Sequence, residues 1–139
     1  MRNVFADSGY WIALLNPKDD LHNRAKEVSS SLGAVRIFTS EMVLSEVLNS
    51  FADKGPTLRR IAVTLVENLH NDPNTEIIPQ TSLQFNEALR LYQNRQDKDW
   101  SLTDCASILI IRERGMTETL AYDNHFSQAG LIPLLRIED

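Results

Sequence analysis

Residues 35–52 read VRIFTSEMVLSEVLNSFA, and this stretch decides the fold. It opens with Val35 to Phe38, a short apolar run that suits a buried strand. From Glu41 to Ala52 the period changes: Leu44, Val47, Leu48, Phe51 and Ala52 fall at i, i+3, i+4, i+7 and i+8, one apolar stripe of an amphipathic helix. A strand leading into a helix is the repeating unit of a parallel α/β sheet.

The same alternation extends in both directions. Further short apolar runs occur at Asn3 to Ala6, Glu76 to Ile78, Thr119 to Tyr122 and Ile132 to Leu135. Helical patterns lie between them at Tyr10 to Leu15, His22 to Leu32 and Leu58 to His70. Thr81 to Gln84 has the Thr-x-x-Gln form of a capping box ahead of a helix reaching about Arg95, and Ser101 caps another that ends at Gly115. Most of the strands lack in/out alternation, which predicts a mostly parallel sheet covered on both faces, a three-layer α/β/α sandwich. In such open sheets a ligand binds at the carboxyl ends of the strands, near the point where strand order reverses.

A chain of 139 residues, 42% hydrophobic and 24% charged, suits one domain over residues 1–139. The breaks at Asn16-Pro17, Gly55-Pro56 and Asp72-Pro73 read as turns, and no repeat or low-complexity linker divides the sequence. With neither a secretory-signal pattern at the start nor an apolar run long enough to span a bilayer, cytoplasmic residence is the expectation. Cys105 is the only cysteine, so one chain can form neither an internal disulfide nor a thiolate metal site.

Fourteen basic against 19 acidic residues give a net charge of −5, the wrong sign for a protein that holds nucleic acid by its overall field. A nuclease is less penalised: without the four carboxylates singled out below the charge is −1, and bound cations reverse the local sign where phosphate docks. Asp7 directly follows Val4-Phe5-Ala6, and Asp123 directly follows the strand Thr119 to Tyr122. Both stand where a site is expected, yet an Asp there also serves as a helix cap or a turn former. Asp104 lies three residues after Ser101, an arrangement that fits a capping box as well as a ligand. Glu46 points opposite the Leu44, Val47, Leu48 stripe, together with Met42, Asn49 and Ser50, which suits a solvated face or a helix leaning over a crevice.

Gathered in one cleft, these groups would repel: two unit charges about 4 Å apart interact by roughly 4 kcal/mol at an effective dielectric of about 20. A divalent cation relieves that repulsion, and an all-oxygen donor set suits Mg²⁺ or Mn²⁺ over Zn²⁺. The matching chemistry is water activation at a phosphodiester, with no protein nucleophile.

Four stretches in order carry a resemblance: Val4-Phe5-Ala6-Asp7-Ser8, Ser45-Glu46-Val47, Asp99-Trp100-Ser101-Leu102-Thr103-Asp104-Cys105 and Ala121-Tyr122-Asp123-Asn124-His125-Phe126. The chain resembles PIN-domain ribonucleases over nearly its whole length, close to the stand-alone VapC-type toxins of bacterial toxin–antitoxin pairs. The resemblance implies a sheet in the order 3-2-1-4-5, with Asp7, Glu46, Asp104 and Asp123 as the family's acidic quartet. It further implies Mg²⁺ or Mn²⁺ dependence, endonucleolytic cleavage of RNA, a homodimer, and inhibition by a small antitoxin encoded alongside. Ser8 and Thr103 match positions where the family often places a hydroxyl near the metal. Asn124 departs from relatives that carry a further acid in this loop, which bears on how a second ion is held.

Other residues have simpler readings. His125 in a polar loop suits a structural or solvated role, and His22 and His70 offer less. Trp11 and Trp100 suit the core better than base stacking. Lys54, Arg59 and Arg60 form a basic turn that suits solvent or an RNA backbone equally, and Lys54 to Asn74 is the surface where RNA specificity is expected. Cys105 reads as a small apolar side chain. An aspartyl phosphatase is disfavoured because Asp7 is followed by Ser8-Gly9 without a second Asp, and a receiver module because the strand Glu76 to Ile78 ends in Pro79-Gln80. A PIN-like scaffold without catalysis is the alternative to the ribonuclease.

Overall fold

A computed structural model describes residues 1–136. Its elements run β1 (Arg2–Ala6), α1 (Ser8–Leu15), α2 (His22–Ser31), β2 (Val35–Ser40), α3 (Glu41–Phe51), α4 (Pro56–Asn71), β3 (Thr75–Ile78), α5 (Ser82–Asn94), α6 (Leu102–Glu113), β4 (Glu118–Leu120), α7 (Asn124–Gln128) and β5 (Ile132–Pro133). A 3-10 turn over Leu134–Arg136 follows. The sheet order is β3-β2-β1-β4-β5. Every neighbouring pair is parallel, with Phe5 opposite Phe38 on one side and Thr119 on the other.

Handedness distributes the helices. From β1 the chain steps outward to β2 and β3, then returns past β1 to β4 and β5. Right-handed crossovers in two opposite directions put α1 to α4 on one face and α5 to α7 on the other. The packing agrees: α1 lies against α2 and α3, and α3 against α4, while α6 lies against α5 and α7. Central β1 is enclosed on both sides, and Val4, Phe5 and Ala6 are fully buried. The direction of travel reverses between β1 and β4, so their carboxyl ends open one crevice.

Local chemistry sets the helix ends. Ser40 accepts the backbone N–H of Val43 at the start of α3, and Thr81 does the same for Gln84 at α5. Helix α4 starts with Pro56 at its first position, where a missing N–H costs nothing, behind Gly55 at φ +90°. Two buried tryptophans confirm the core reading: the Trp11 indole donates to Thr39 Oγ1 at 3.4 Å and Trp100 to Gln128 Oε1 at 3.1 Å. Cys105 is fully buried.

Four expectations need correction. Leu48, assigned to the apolar stripe of α3, is 37% exposed, while Met42 from the opposite side is buried. Strand β4 ends at Leu120, and Tyr122 has left the sheet. The run Ile132 to Leu135 is a strand for two residues only; Leu134 and Leu135 are buried by a 3-10 turn instead. The stretch read as a polar loop at Asn124 and His125 is a short helix, because the Asp123 side chain accepts the His125 N–H and burial of Phe126 holds the turn. Among the described residues no helix is long and apolar enough to cross a membrane.

Candidate active site

Asp7 is the first residue beyond β1, and its backbone N–H donates to Leu120 O of β4 at 3.1 Å. This places it at the reversal point. Beneath it, Thr39 Oγ1 donates to Ala6 O at 3.0 Å while accepting from Trp11, so the end of β1 is tied to β2 and α1 by a buried polar chain. Asp7 occupies the N-cap position of α1, but its carboxyl does not cap the N–H groups of the first turn beyond the adjacent Ser8. The capping explanation therefore fails for this residue.

A cleft of about 500 Å³ opens above it, lined by Asp7, Glu46, Asp104 and Asp123 together with Ser8, His125 and others. All four expected carboxylates meet here. Glu46 reaches across from α3, and the Ser8 hydroxyl donates to its Oε1 at 2.9 Å. Asp104 both closes the capping box of α6 and faces the cleft: Oδ2 accepts Ser101 N–H at 3.0 Å, and Ser101 Oγ accepts Asp104 N–H at 3.0 Å. Asp123 likewise caps α7 and lines the cleft. For these two the structural and the site positions coincide in one side chain.

The electrostatics are strained as expected. Asp7 is 8% exposed, and its carboxyl is pushed up from 3.8 to about 7. Burial is the main cause; the Asp104 charge adds to it, the Ser8 backbone N–H opposes it, and Glu46 and Asp123 contribute further repulsion. Three other acids thus act on one buried carboxyl.

His125 departs from its sequence reading. Its Nδ1 lies 2.8 Å from Asp104 Oδ2 and 3.3 Å from Asp123 Oδ2, close but poorly directed for a hydrogen bond. Tyr122 and Arg136 also line the cleft and were not singled out from the sequence; the signal available was their position just past β4 and β5. Of the two expected hydroxyls, Ser8 is in the cleft, whereas Thr103 is buried and does not line it. Asn124 is at the rim. Two other candidates are engaged elsewhere: Arg59 donates to Ala52 O at 3.1 Å, and His22 Nδ1 sits 2.7 Å from Ala13 O. A concavity of about 550 Å³ between α3 and α5 contains one carboxylate, Glu41, which already accepts Gln80 N–H at 2.6 Å. Among the described residues, Asp7, Glu46, Asp104 and Asp123 come together in the cleft above β1 and β4.

The donor set fits Mg²⁺ or Mn²⁺ in type, being carboxylate and hydroxyl oxygen, and a cation would remove the repulsion that raises Asp7. Among the described residues no three acidic, His or Cys groups close tightly around a single point. That looseness suits an ion that keeps several waters and is held by one or two carboxylates.

Comparison with known proteins identifies relatives of the whole fold. The PIN domain family model matches residues 4–131. The 23S rRNA-specific endonuclease VapC20 of Mycobacterium tuberculosis, found in two strains, is 26% identical over 132 residues, covering 93% of this chain and 95% of the relative. The crystal structure of that sarcin-ricin loop cleaving toxin superposes with a TM-score of 0.82 at 25% identity, over 93% of this chain and 96% of the other. FitAcB from Neisseria gonorrhoeae shares the fold at a TM-score of 0.66 and 16% identity, over 96% and 99% of the two chains.

Proposed function

The chain belongs to the PIN domain family, and from that premise we propose that it is a toxin-type, Mg²⁺- or Mn²⁺-dependent endoribonuclease acting as one domain over residues 1–139. The observation that carries this reading is the buried Asp7 at the β1/β4 reversal, surrounded by Glu46, Asp104 and Asp123. Asp7, Asp104 and Asp123 are the candidate ligands, of which one or two would hold the ion directly and the rest through its waters, and Glu46 completes the acidic pocket.

When bound, a divalent cation supplies a water of lowered pKa and neutralises charge developing on the phosphodiester. The chain's own residues arrange the rest. Ser8 orients the Glu46 carboxylate through its hydroxyl hydrogen bond. The Ser101 backbone N–H fixes one Asp104 oxygen, and the His125 N–H fixes one Asp123 oxygen, so each carboxylate enters the cleft in one orientation. Burial of Asp7 keeps bulk water away from the strand end and makes its charge available chiefly to a cation.

The substrate is RNA. A relative named for 23S rRNA makes ribosomal RNA the first target to test. A small antitoxin as inhibitor and a homodimer complete the proposal on the resemblance to VapC-type toxins, and a cytoplasmic location accompanies them.

The test is cleavage of labelled ribosomal RNA and of a mixed RNA pool by purified protein with Mg²⁺, Mn²⁺ or EDTA, beside the Asp7→Asn variant. Asp7 is preferred over Asp104 because its carboxyl caps no helix, so a loss of cutting is not confused with a loss of structure. Metal-dependent cutting that disappears in the variant is the expected result. No cutting with either metal, from folded protein free of inhibitor, would favour a binding scaffold.

A further inference from the structure

Four carboxylates make the cleft hostile to a polyanion, yet the wall contains one Lys or Arg side chain among the described residues, Arg136. Its guanidinium lies over the Tyr122 ring, 4.8 Å from the centroid. Tyr122 is 44% exposed, an unusual position for a ring that adjoins a core strand. Among the described residues Arg136 forms no ion pair, so its guanidinium is not tied to a carboxylate of the cleft.

The position of this pair is built into the fold. Leu134 and Leu135 are buried, and Leu135 N–H donates to Ala121 O at 3.1 Å, which fastens the 3-10 turn to the residue preceding Tyr122. From the far side Arg24 Nε donates to Leu135 O at 3.2 Å and its Nη2 to Leu134 O at 3.5 Å. Three hydrogen bonds thus set Arg136 over Tyr122 at the cleft mouth.

We propose that Tyr122 and Arg136 form a substrate-positioning clamp for single-stranded RNA, in which Arg136 takes a phosphate next to the one cleaved and Tyr122 carries the adjoining base. This rests on the ribonuclease reading above. Guanidinium planes and exposed aromatic rings are the groups that bind phosphates and unstacked bases, and a ring can stack only on a base that is not already stacked within a duplex. The clamp accordingly selects a loop or an open strand over a helix.

The test uses the full chain and a short 5′-labelled RNA of mixed sequence, offered single-stranded and as a duplex, with cleavage followed in Mg²⁺ and binding followed by anisotropy in Ca²⁺. For single-stranded RNA, Arg136→Ala is expected to raise KM about three- to tenfold with kcat nearly unchanged. It should also lower the salt slope of binding by about 0.7, the value for one phosphate contact on a single strand. Arg136→Lys should restore the slope but not the full affinity, since a lysine keeps the charge without the planar stack. Tyr122→Ala should weaken binding with less change in slope. Unchanged KM and slope in Arg136→Ala, beside a wild type that cuts RNA, would overturn the clamp and leave the nuclease reading intact. A wild type that neither binds nor cuts RNA would overturn both.

Discussion

Replacing Asp7 with Asn should stabilise the metal-free protein at alkaline pH while removing its activity. In the folded chain the Asp7 carboxyl is raised to about 7 from an ordinary 3.8. A raised acid favours folding in its protonated form, so its contribution is fully present below pH 3.8 and is lost as pH rises through 7. At about 1.36 kcal/mol per pKa unit, the loss approaches ~4 kcal/mol by pH 8. An amide in its place has no charge but remains a buried polar group with incomplete hydrogen bonding, which costs about 1–2 kcal/mol. The net gain is roughly 2 kcal/mol at pH 8, near 7 °C in Tm for a domain of this length. At pH 5 the wild-type carboxyl is protonated in the folded state, and most of the difference disappears. Thermal and urea unfolding of both proteins in EDTA at pH 5 and pH 8 measures the gap, and subtraction cancels groups that titrate alike in both. A variant less stable than wild type at pH 8, or a gap independent of pH, would refute the account of a desolvated and repelled carboxyl.

The other predictions follow from the same geometry. At pH 8 Mg²⁺ at ten times its Kd should raise the stability of the wild type by about 1.4 kcal/mol and that of Asp7→Asn much less, read as a thermal shift. Ser101→Ala removes the acceptor at the start of α6 and should cost about 1 kcal/mol in urea unfolding, with Asp104 less firmly oriented and cleavage reduced. By contrast the Arg2–Glu118 pair, 2.7 Å apart but partly solvated, should contribute less than about 1 kcal/mol, and Arg2→Ala should lower Tm only slightly at low salt and hardly at all in high salt.

Period and punctuation made most of the architecture legible in the sequence. Apolar runs located all five strands, and the spacing of Leu44, Val47 and Phe51 located α3, because burial on both faces of a parallel sheet leaves a strong pattern. Where the pattern failed, tertiary context had taken over. Ile132 to Leu135 looks like four strand residues, yet only two pair with β4, since Leu135 instead bonds back to Ala121. Asn124 and His125 look like a loop because a five-residue helix is too short to show a period. Placement of the acids at strand ends was readable, but the order of strands that joins Asp7 to Asp123 came from family resemblance, not from the residues alone. His125 could not be assigned from its neighbours in sequence, since its contact with Asp104 is made across the cleft. Arg136 was similarly invisible: its significance depends on a turn held by Arg24, more than a hundred residues earlier.

The double employment of Asp104 has an evolutionary corollary. Selection that no longer required catalysis would act differently on the acids of this cleft. Loss of Asp7 relieves repulsion and leaves every helix cap in place, whereas loss of Asp104 opens the capping box at the head of α6. Descendants drifting toward an inert scaffold should therefore shed the acid at position 7 early and retain the one at position 104 as a relic. In such a lineage the presence of Asp104 would testify only to folding, and position 7 would be the record of whether the chemistry survived.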